Sequence, residues 1–393
     1  MTHNNVNVFK KLIGNLSIES FFKDYWGKEV LYLEKKDNPD ANFPISVNDL
    51  DDYFTNTRLR YPWIKLVKKG IEVPLKEYRN SALSMLTDTV DNDKLFNGLS
   101  EGGTILANSI DKSNKAIGIY CRELEKELSL KIWANLYISD SMSYGIGIHQ
   151  DAQDIFIVQL AGKKNWHIYP RQEQYTGPRQ PKEDEKAEKS LLLKEGEVIY
   201  LPKNYPHMAF AADGPSIHLA ISAEGLLWSD LIKYFSNTVN EDVDFQQKVP
   251  LPLEGKETYD IFIKAFQEKW IAFNETHHPL DFIKELNSGV TYQKDGQRDQ
   301  RLSNWLAIDD INLDTTLQKN KHVAYNLQKQ GKRLQLKFYN KELIYPIFVF
   351  ELVKDLLQEE PYKLVNISTQ QSDSEKVIVA KKLVREGILT IAK

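Results

Sequence analysis

The sequence ANLYISDSMSYGIGIHQDAQDIFIVQLAGKKNWHIYP, residues 134–170, decides the fold of this chain. It contains short runs that are rich in β-branched and aromatic residues and are separated by Gly, Asn and Asp turns. Similar runs follow in GEVIYLP (196–202) and SIHLAIS (216–222). Many short strands between turn residues are typical of an all-β sandwich or barrel. Residues 131–225 are therefore predicted to form a β core, with the charge-dense segment 171–190 as an exposed loop.

The segments on either side of this core have helical patterns. SIESFFKDYW (17–26) predicts a helix and EVLYLEK (29–35) a strand, and a further short helix is predicted to begin at Ser46 or Asn48. After the core, YDIFIKAFQEKWIAF (259–273) places its large apolar residues on one broad stripe. A helix with such a stripe must bury that face against something.

The C-terminal part is predicted to be a small, mostly helical module. Residues 343–368 and 374–393 indicate a helix, a second helix and then an edge strand after Gly387, the usual outline of a winged-helix unit. A polar stretch at 286–303 indicates a boundary before it. We therefore expect three domains: residues 1–225 as the β domain, 226–310 as a helical region and 311–393 as a winged-helix-like module.

The composition limits the classes of function. The 393 residues are 41% hydrophobic and 27% charged, as in ordinary globular proteins with two or three domains. The net charge of −4 gives no overall basic field, so tight binding to duplex DNA is not expected. Cys121 is the single cysteine, which excludes an intramolecular disulfide and a cysteine-based zinc site within one chain. Since there is neither a long apolar run nor a secretory signal, we expect a cytoplasmic protein with no membrane contact.

His149, Asp151 and His207 are the candidate metal ligands. His149 and Asp151 are two residues apart, so on an extended segment both side chains point to the same face. His207, in PKNYPHMAF (202–210), is predicted to lie at the end of a later strand. Two imidazoles and one carboxylate on one face of a metal leave the other positions open, as in the facial triad of non-haem Fe(II) oxygenases. The triad predicts an Fe(II) site with room for a 2-oxo acid and O₂.

Lys164 and Tyr137 are candidates for binding the co-substrate. A 2-oxoglutarate molecule that chelates iron leaves its second carboxylate deeper in the pocket, where a cation and a hydroxyl donor would hold it. Lys164 could supply the charge and Tyr137 the hydroxyl, although Lys164 could equally be a solvated turn residue. Asn135 shares a strand face with Tyr137. Ser222 and His218 alternate on another strand, where polar residues are either hydrogen-bonded core groups or pocket lining.

The motifs HQD (149–151), GEVIYLP (196–202) and PH (206–207), in this order, resemble those of the JmjC-type, cupin-fold ribosomal oxygenases. The resemblance extends to FFKDYWGKEVLYLEK (21–35) and, more weakly, to the helical middle and the C-terminus. It implies a double-stranded β-helix core, a helical dimerisation region and a C-terminal winged-helix module. It also implies a homodimer that hydroxylates a protein side chain, most often of a ribosomal protein and at the β-carbon.

The resemblance implies a role for each of the candidate site residues. It makes His149, Asp151 and His207 the ligands of Fe(II), and Lys164 and Tyr137 the residues that bind 2-oxoglutarate. It also implies that Asn135 and Ser222 lie near the co-substrate and the target side chain. The lysine at 164 is more similar to the histidyl-hydroxylating members than to the bacterial arginyl hydroxylase.

Three alternatives remain open at the level of sequence. The same chemistry could act on a peptide natural-product precursor. The chain could instead be a non-catalytic cupin-like binding module, although such a module has no need for an open metal face. A barrel with Zn or Mn and non-oxidative chemistry is the third, because His and carboxylate ligands alone do not select the metal.

Overall fold

The computed structural model describes residues 8–38, 43, 45–80, 87–141, 143, 146–172, 185–241, 243, 245–248, 256–276, 301–338 and 341–392. The chain divides into two compact units, Met1–Gly225 and Leu226–Lys393. A further boundary at residue 310 stays a prediction. Most of the polar stretch 286–303 and of the charged segment 171–190 lies outside the described residues.

Short helices and strands alternate in the described part of the first unit. Its helices are α1 (Lys10–Ile13), α2 (Ile18–Ser20, continued by a π-helical turn, Phe21–Tyr25), α3 (Val47–Asn56), α4 (Leu75–Tyr78), α5 (Asn92–Ser100) and α6 (Lys115–Leu128). Its strands are β1 (Leu31–Leu33), β2 (Ile64–Lys68), β3 (Ile71–Glu72), β4 (Thr104–Ala107), β5 (Lys131–Ser139), β6 (Asp154–Ala161), β7 (Lys163–Ile168), β8 (Lys189–Lys194), β9 (Val198–Leu201), β10 (His207–Ala211) and β11 (Ser216–Glu224).

These strands form two antiparallel sheets that face each other. The larger sheet has the order β1-β9-β6-β11-β5-β4-β2-β3, and the smaller has the order β10-β7-β8. Ile155 and Ile157 of β6 pack in one apolar cluster with Trp166 and Ile168 of β7 and Leu193 of β8. Side chains from two sheets that meet in this way define a β-sandwich. The predicted β core is confirmed.

The other face of the larger sheet is covered by helices. Phe156 of β6 and Tyr200 of β9 alternate with residues that face the smaller sheet, and they pack against Phe9 and Phe21 of the N-terminal segment. The predicted helix and strand in residues 17–35 are therefore confirmed as α2, its π-helical extension and β1. A capping box at Ser46 begins α3, because the Ser46 hydroxyl accepts from the Asp49 N–H and the Asp49 carboxylate accepts from the Ser46 N–H.

Two strands of the smaller sheet differ from the sequence interpretation. β8 begins at Lys189, inside the segment 171–190 that is predicted to be a loop. His207 is predicted at the end of a strand, but it is the first residue of β10. β10 is short and contains Ala209 and Ala211, so the local sequence gives only a weak strand pattern. Pairing with β7 stabilises the strand instead.

The described part of the second unit contains helices and two small sheets. The helices are α7 (Trp228–Glu241), α8 (Lys256–Thr276), α9 (Arg301–Leu306), α10 (Phe350–Leu356) and α11 (Asp373–Glu386). The strands are β12 (Thr316–Lys319), β13 (Tyr325–Gln330), β14 (Arg333–Phe338), β15 (Lys341–Pro346), β16 (Tyr362–Lys363) and β17 (Leu389–Ile391). The sheets have the orders β16-β12-β17 and β13-β14-β15.

The second unit is richer in strands than its sequence predicts. The helix over 259–273, the helix that ends before Gly387 and the strand after it are all confirmed. Residues 343–346, predicted as the start of a helix, instead belong to β15, which pairs with β14. In β14, the fully buried apolar residues Leu334, Leu336 and Phe338 alternate with polar residues, which is the period of a strand with one apolar face.

Among the described residues, helix α8 leaves much of its apolar stripe uncovered. Phe273 is buried against Phe235 of α7, whereas Ile263 and Phe266 are about half exposed, at 49% and 53%. The prediction that the whole stripe is buried is therefore not met by the described residues of this chain.

Among the described helices, none combines the length and the apolar character that crossing a membrane requires.

Candidate active site

Main-chain pairing brings His149 and His207 together. The His149 N–H donates to the His207 carbonyl at 3.0 Å, and the His207 N–H donates to the His149 carbonyl at 2.8 Å. The pair therefore forms an antiparallel bridge between residues 58 positions apart in the chain. A tight turn leads into β10, with Asn204 in the left-handed region at φ 69°, and the Asn204 N–H donates to the Asp151 carbonyl. The same turn thus anchors the third residue of the triad.

The Nδ1 atom of each imidazole is hydrogen-bonded to a main-chain carbonyl oxygen. Nδ1 of His149 lies 2.9 Å from the Gly147 oxygen, and Nδ1 of His207 lies 2.9 Å from the Tyr205 oxygen. Since a carbonyl can only accept, each Nδ1 carries the proton and each Nε2 presents a lone pair. Metal-binding histidines commonly have this arrangement, because it fixes the ring and its tautomer.

The three side chains converge tightly enough to bind one ion. Their ligand atoms lie within 4.8 Å of one another, and the His207 Nε2 is 3.7 Å from the Asp151 Oδ2. Burial and the neighbouring His149 lower the pKa of His207, which favours the neutral imidazole that a metal needs. Within the described part of the chain, no fourth acidic, His or Cys side chain joins this group. The donor set of two nitrogens and one carboxylate therefore fits a divalent transition metal with open positions.

Lys164 lies at the other end of the same cavity, and it is buried rather than a solvated turn residue. It is 2% exposed, and its Nζ donates to the Ser139 hydroxyl at 2.9 Å and lies 3.4 Å from Nδ1 of His218. No acidic side chain of the described residues pairs with it, and burial lowers its pKa to about 7. A buried ammonium group with only neutral neighbours is a good binding partner for a carboxylate.

A glycine turn sets the position of Lys164. Gly162 has φ 68°, and a Cβ there would lie 2.0 Å from the Pro215 oxygen, so only glycine fits between β6 and β7. β7 then pairs with β10 so that Lys164 is opposite Ala211 and Ile168 is opposite His207. The two ends of this strand pair therefore carry the cation and one member of the triad.

Hydroxyl groups next to Lys164 were not identified from the sequence. Ser139 is hydrogen-bonded to Thr104 at 3.0 Å, and Thr104 is hydrogen-bonded to Ser143 at 2.6 Å. Ser139 could have been found, because it alternates with Asn135 and Tyr137 on β5. Thr104 could not, because its place beside β5 follows from the pairing of β4, which has no local sequence signal.

The remaining candidate residues are Asn135 and Tyr137 on β5 and Ser222 on β11. Tyr137 lines the cavity and is hydrogen-bonded to Asn135, whose Oδ1 also accepts from the Ser109 N–H. Ser222 is buried two residues beyond the lining residue Ala220. Asn135 and Ser222 are thus close to the cavity but are not among the residues that line it.

The cavity contains about 450 Å³ of unoccupied space, part of it open to solvent. The triad, Lys164 and Tyr137 line it together with apolar side chains that include Ile146, Ile155 and Ile157. Trp166 also lines it, and within the described residues its buried indole N–H has no hydrogen-bond partner. A ligand that fills this space therefore meets metal ligands at one end, a cation at the other, and a free donor from Trp166.

Comparison with known families identifies the domain that contains this cavity. The JmjC domain family matches residues 116–231, which include the triad, Lys164 and Tyr137. The chain carries a JmjC domain. The HxD–H triad lies within this matched segment.

Its relatives are ribosomal oxygenases and histidyl-hydroxylases. The chain is 25% identical over 261 residues to the bifunctional lysine-specific demethylase and histidyl-hydroxylase NO66 of Dictyostelium discoideum, a match that covers 62% of this chain and 49% of the relative. It is 23% identical over 267 residues to ribosomal oxygenase 2 of Mus musculus, covering 62% and 54%. The chain thus spans about half the length of these relatives, and the predicted relationship to JmjC-type ribosomal oxygenases is confirmed.

A solved structure shares the fold over nearly the whole chain. YcfD, a ribosomal oxygenase of Escherichia coli solved with cobalt and 2-oxoglutarate, matches with a TM-score of 0.56 at 15% identity. The match covers 96% of this chain and 99% of YcfD. The predicted order of a cupin-type β core followed by helices is therefore confirmed.

Proposed function

We propose that this protein is a 2-oxoglutarate- and Fe(II)-dependent oxygenase that hydroxylates an amino-acid side chain of a protein. The observation that supports this most directly is the convergence of His149, Asp151 and His207 with both Nε2 atoms available. The kinship with ribosomal oxygenases favours a ribosomal protein as the substrate. Hydroxylation at the β-carbon stays a prediction from the sequence resemblance.

The three triad residues would hold Fe(II). The metal, when bound, supplies the oxidative decarboxylation of 2-oxoglutarate by O₂, which gives succinate, CO₂ and one oxygen atom for a C–H bond. The two main-chain hydrogen bonds to Nδ1 hold the imidazoles in the required tautomer. Asp151 completes the set and balances part of the metal charge.

Lys164 and Tyr137 would bind the second carboxylate of 2-oxoglutarate at the other end of the cavity. The carboxylate supplies the negative charge that Lys164 lacks among its described neighbours, and such charge-assisted hydrogen bonds are among the stronger ones. The Tyr137 pKa is raised by burial, so its hydroxyl stays protonated and can donate. Asn135 would orient Tyr137, and Ser222 stays a candidate for the wall near the target side chain.

The apolar part of the cavity wall would limit the entry of water. Ile146, Ile155 and Ile157 line the space around the triad. Excluding water protects a reactive site from side reactions and strengthens its electrostatic interactions. The same wall leaves a target side chain few polar contacts near the metal, so the main recognition of a protein substrate would occur outside the cavity.

Succinate production tests the proposed reaction. Purified protein with Fe(II), ascorbate and 2-oxoglutarate is expected to release succinate slowly, because the co-substrate can turn over without its target. Adding ribosomal proteins is expected to raise the rate and to produce a +16 Da shift in one peptide, measured by mass spectrometry. Zn(II) in place of Fe(II) is the control, since it fits the same ligands but supports no such chemistry. Succinate release that does not depend on Fe(II) would contradict the proposal.

We further propose that α7 and α8 form the contact of a homodimer. The exposed apolar side chains of α8 lie close together along the helix: Ile261, Phe262, Ile263, Phe266, Trp270 and Ile271. Contiguous apolar surface of this kind usually marks a site of protein association.

The second unit's C-terminal part would be the winged-helix-like module of residues 311–393. A cytoplasmic location and the absence of tight duplex-DNA binding stay predictions.

Light scattering measures the expected dimer. Each chain has a mass of 45.5 kDa, so the protein is expected at about 2 × 45.5 kDa at micromolar concentration. Replacing Ile263 and Phe266 by Glu is expected to give monomers, because charges would be buried in the contact. Ile71→Glu, at an exposed position of the first unit, is the matched control and should leave the dimer intact. A monomeric wild-type chain would refute the proposal.

A further inference from the structure

His218 is a buried side chain in the middle of the cavity wall that has no assigned role. It is 3% exposed, lines the cavity and contacts Lys164, Tyr137 and Trp166. From the sequence it could be either a core group or pocket lining. Through these contacts it touches both proposed co-substrate-binding side chains.

The contact between His218 and Lys164 has a defined direction. Nζ of Lys164 lies 3.4 Å from Nδ1 of His218. An ammonium group can only donate, so Nδ1 must accept, and the ring proton is then on Nε2. Ser139 accepts a second N–H of Lys164 at 2.9 Å. With two N–H groups held by neutral acceptors, the third is left for a ligand in the cavity.

The His218 ring is held in one orientation by its neighbours. It stacks on Tyr137 with ring centres 4.7 Å apart and planes 4° apart, and it meets Trp166 edge-on at 5.4 Å and 82°. The strand itself contributes, because the register of β11 against β6 shifts between Ile217 and His218. Such an irregularity redirects a side chain, and it is found often beside active sites. The imidazole therefore presents Nδ1 to Lys164 without freedom to rotate away.

We infer that His218 is a positioning residue: it accepts from Lys164 and stacks on Tyr137, and so aims both side chains at the second carboxylate of a dicarboxylic 2-oxo acid. This inference rests on the proposed function. Without the acceptor at Nδ1, the Lys164 side chain loses one of the two groups that fix its direction. The site would then still bind the 2-oxo acid end of a ligand at the metal but would distinguish poorly between ligands with and without a second carboxylate.

Binding of two ligands to the Mn(II)-loaded protein tests this inference without any turnover. 2-Oxoglutarate carries the second carboxylate, and 2-oxopentanoate has the same chelating end but lacks it. By calorimetry, His218→Phe, which keeps a ring for stacking and loses the acceptor, is expected to bind 2-oxoglutarate about tenfold more weakly. Its affinity for 2-oxopentanoate is expected to equal that of the wild type. His218→Asn, whose Oδ1 can accept in place of Nδ1, is expected to recover most of the loss.

The outcomes separate this inference from the proposed function. If His218→Phe binds 2-oxoglutarate like the wild type, or loses both ligands equally, His218 does not position Lys164. If the wild type itself does not prefer 2-oxoglutarate to 2-oxopentanoate, the proposed co-substrate site is wrong, and the inference fails with it. His218→Leu, which also removes the acceptor, replaces His218→Phe should that variant not fold, as judged by circular dichroism.

Discussion

Asp151→Ala is expected to abolish the Fe(II)-dependent release of succinate from 2-oxoglutarate. The substitution removes the only carboxylate of the triad and leaves two imidazoles that cannot hold the metal on one face. Loss of even an outer partner of a metal ligand commonly costs about 10- to 100-fold, so loss of the ligand itself should exceed about 100-fold. The measurement is succinate produced per mole of protein at saturating 2-oxoglutarate.

An aspartate outside the cavity provides the control for this result. Asp213 is exposed in the loop between β10 and β11, and Asp213→Ala is expected to keep the wild-type rate. Both variants should show the same circular dichroism spectrum, since neither carboxylate lies in an apolar core. Equal succinate release by wild type and Asp151→Ala would contradict the proposal that the triad holds the Fe(II) of an oxygenase.

Lys164→Met is expected to stabilise the ligand-free protein and to remove its response to 2-oxoglutarate. Burial holds the pKa of Lys164 at about 7, against 10.5 for a free lysine, so folding disfavours its charged form. The unfolded chain thus binds more protons between pH 7 and 10, and the stability of the wild type rises with pH across this range. At pH 7 the Met variant is expected to gain about 1–2 kcal/mol, measured as a melting temperature raised by several degrees. That gain should shrink as the pH approaches 10.

The neighbouring Lys163 makes the comparison specific. Lys163 is exposed on the same strand, so Lys163→Met removes the same charge without relieving any burial. It should leave the melting temperature and its rise on adding 2-oxoglutarate unchanged. A Lys164→Met protein that melts below the wild type, or that is still stabilised by 2-oxoglutarate, would show that Lys164 is a structural residue.

The sequence predicted the convergence of His149, Asp151 and His207 better than the surroundings of Lys164. The two-residue spacing of His149 and Asp151 has a direct meaning on an extended segment, and His207 follows a strong strand signal in GEVIYLP. The acceptors around Lys164 depend on which strands become neighbours. Thr104 reaches the site through the pairing of β4 with β5, a long-range contact that no local pattern contains.

In the second unit too, the local sequence did not predict strands that depend on long-range pairing. Residues 343–346 continue an apolar run into α10, so local sequence extends the helix backward through them. Pairing with β14 makes them a strand instead, and β13 and β14 become visible only once this small sheet is formed. Tertiary pairing overrides local preference most easily in short segments such as these.

The bridge between His149 and His207 limits which substitutions at these two positions keep the backbone of the site in place. Its two hydrogen bonds join main-chain atoms only, so they place no demand on the side chains at positions 148 and 208. A proline at 149 or 207 would remove one of the two N–H donors and open the bridge, whereas any other residue there would leave both hydrogen bonds possible.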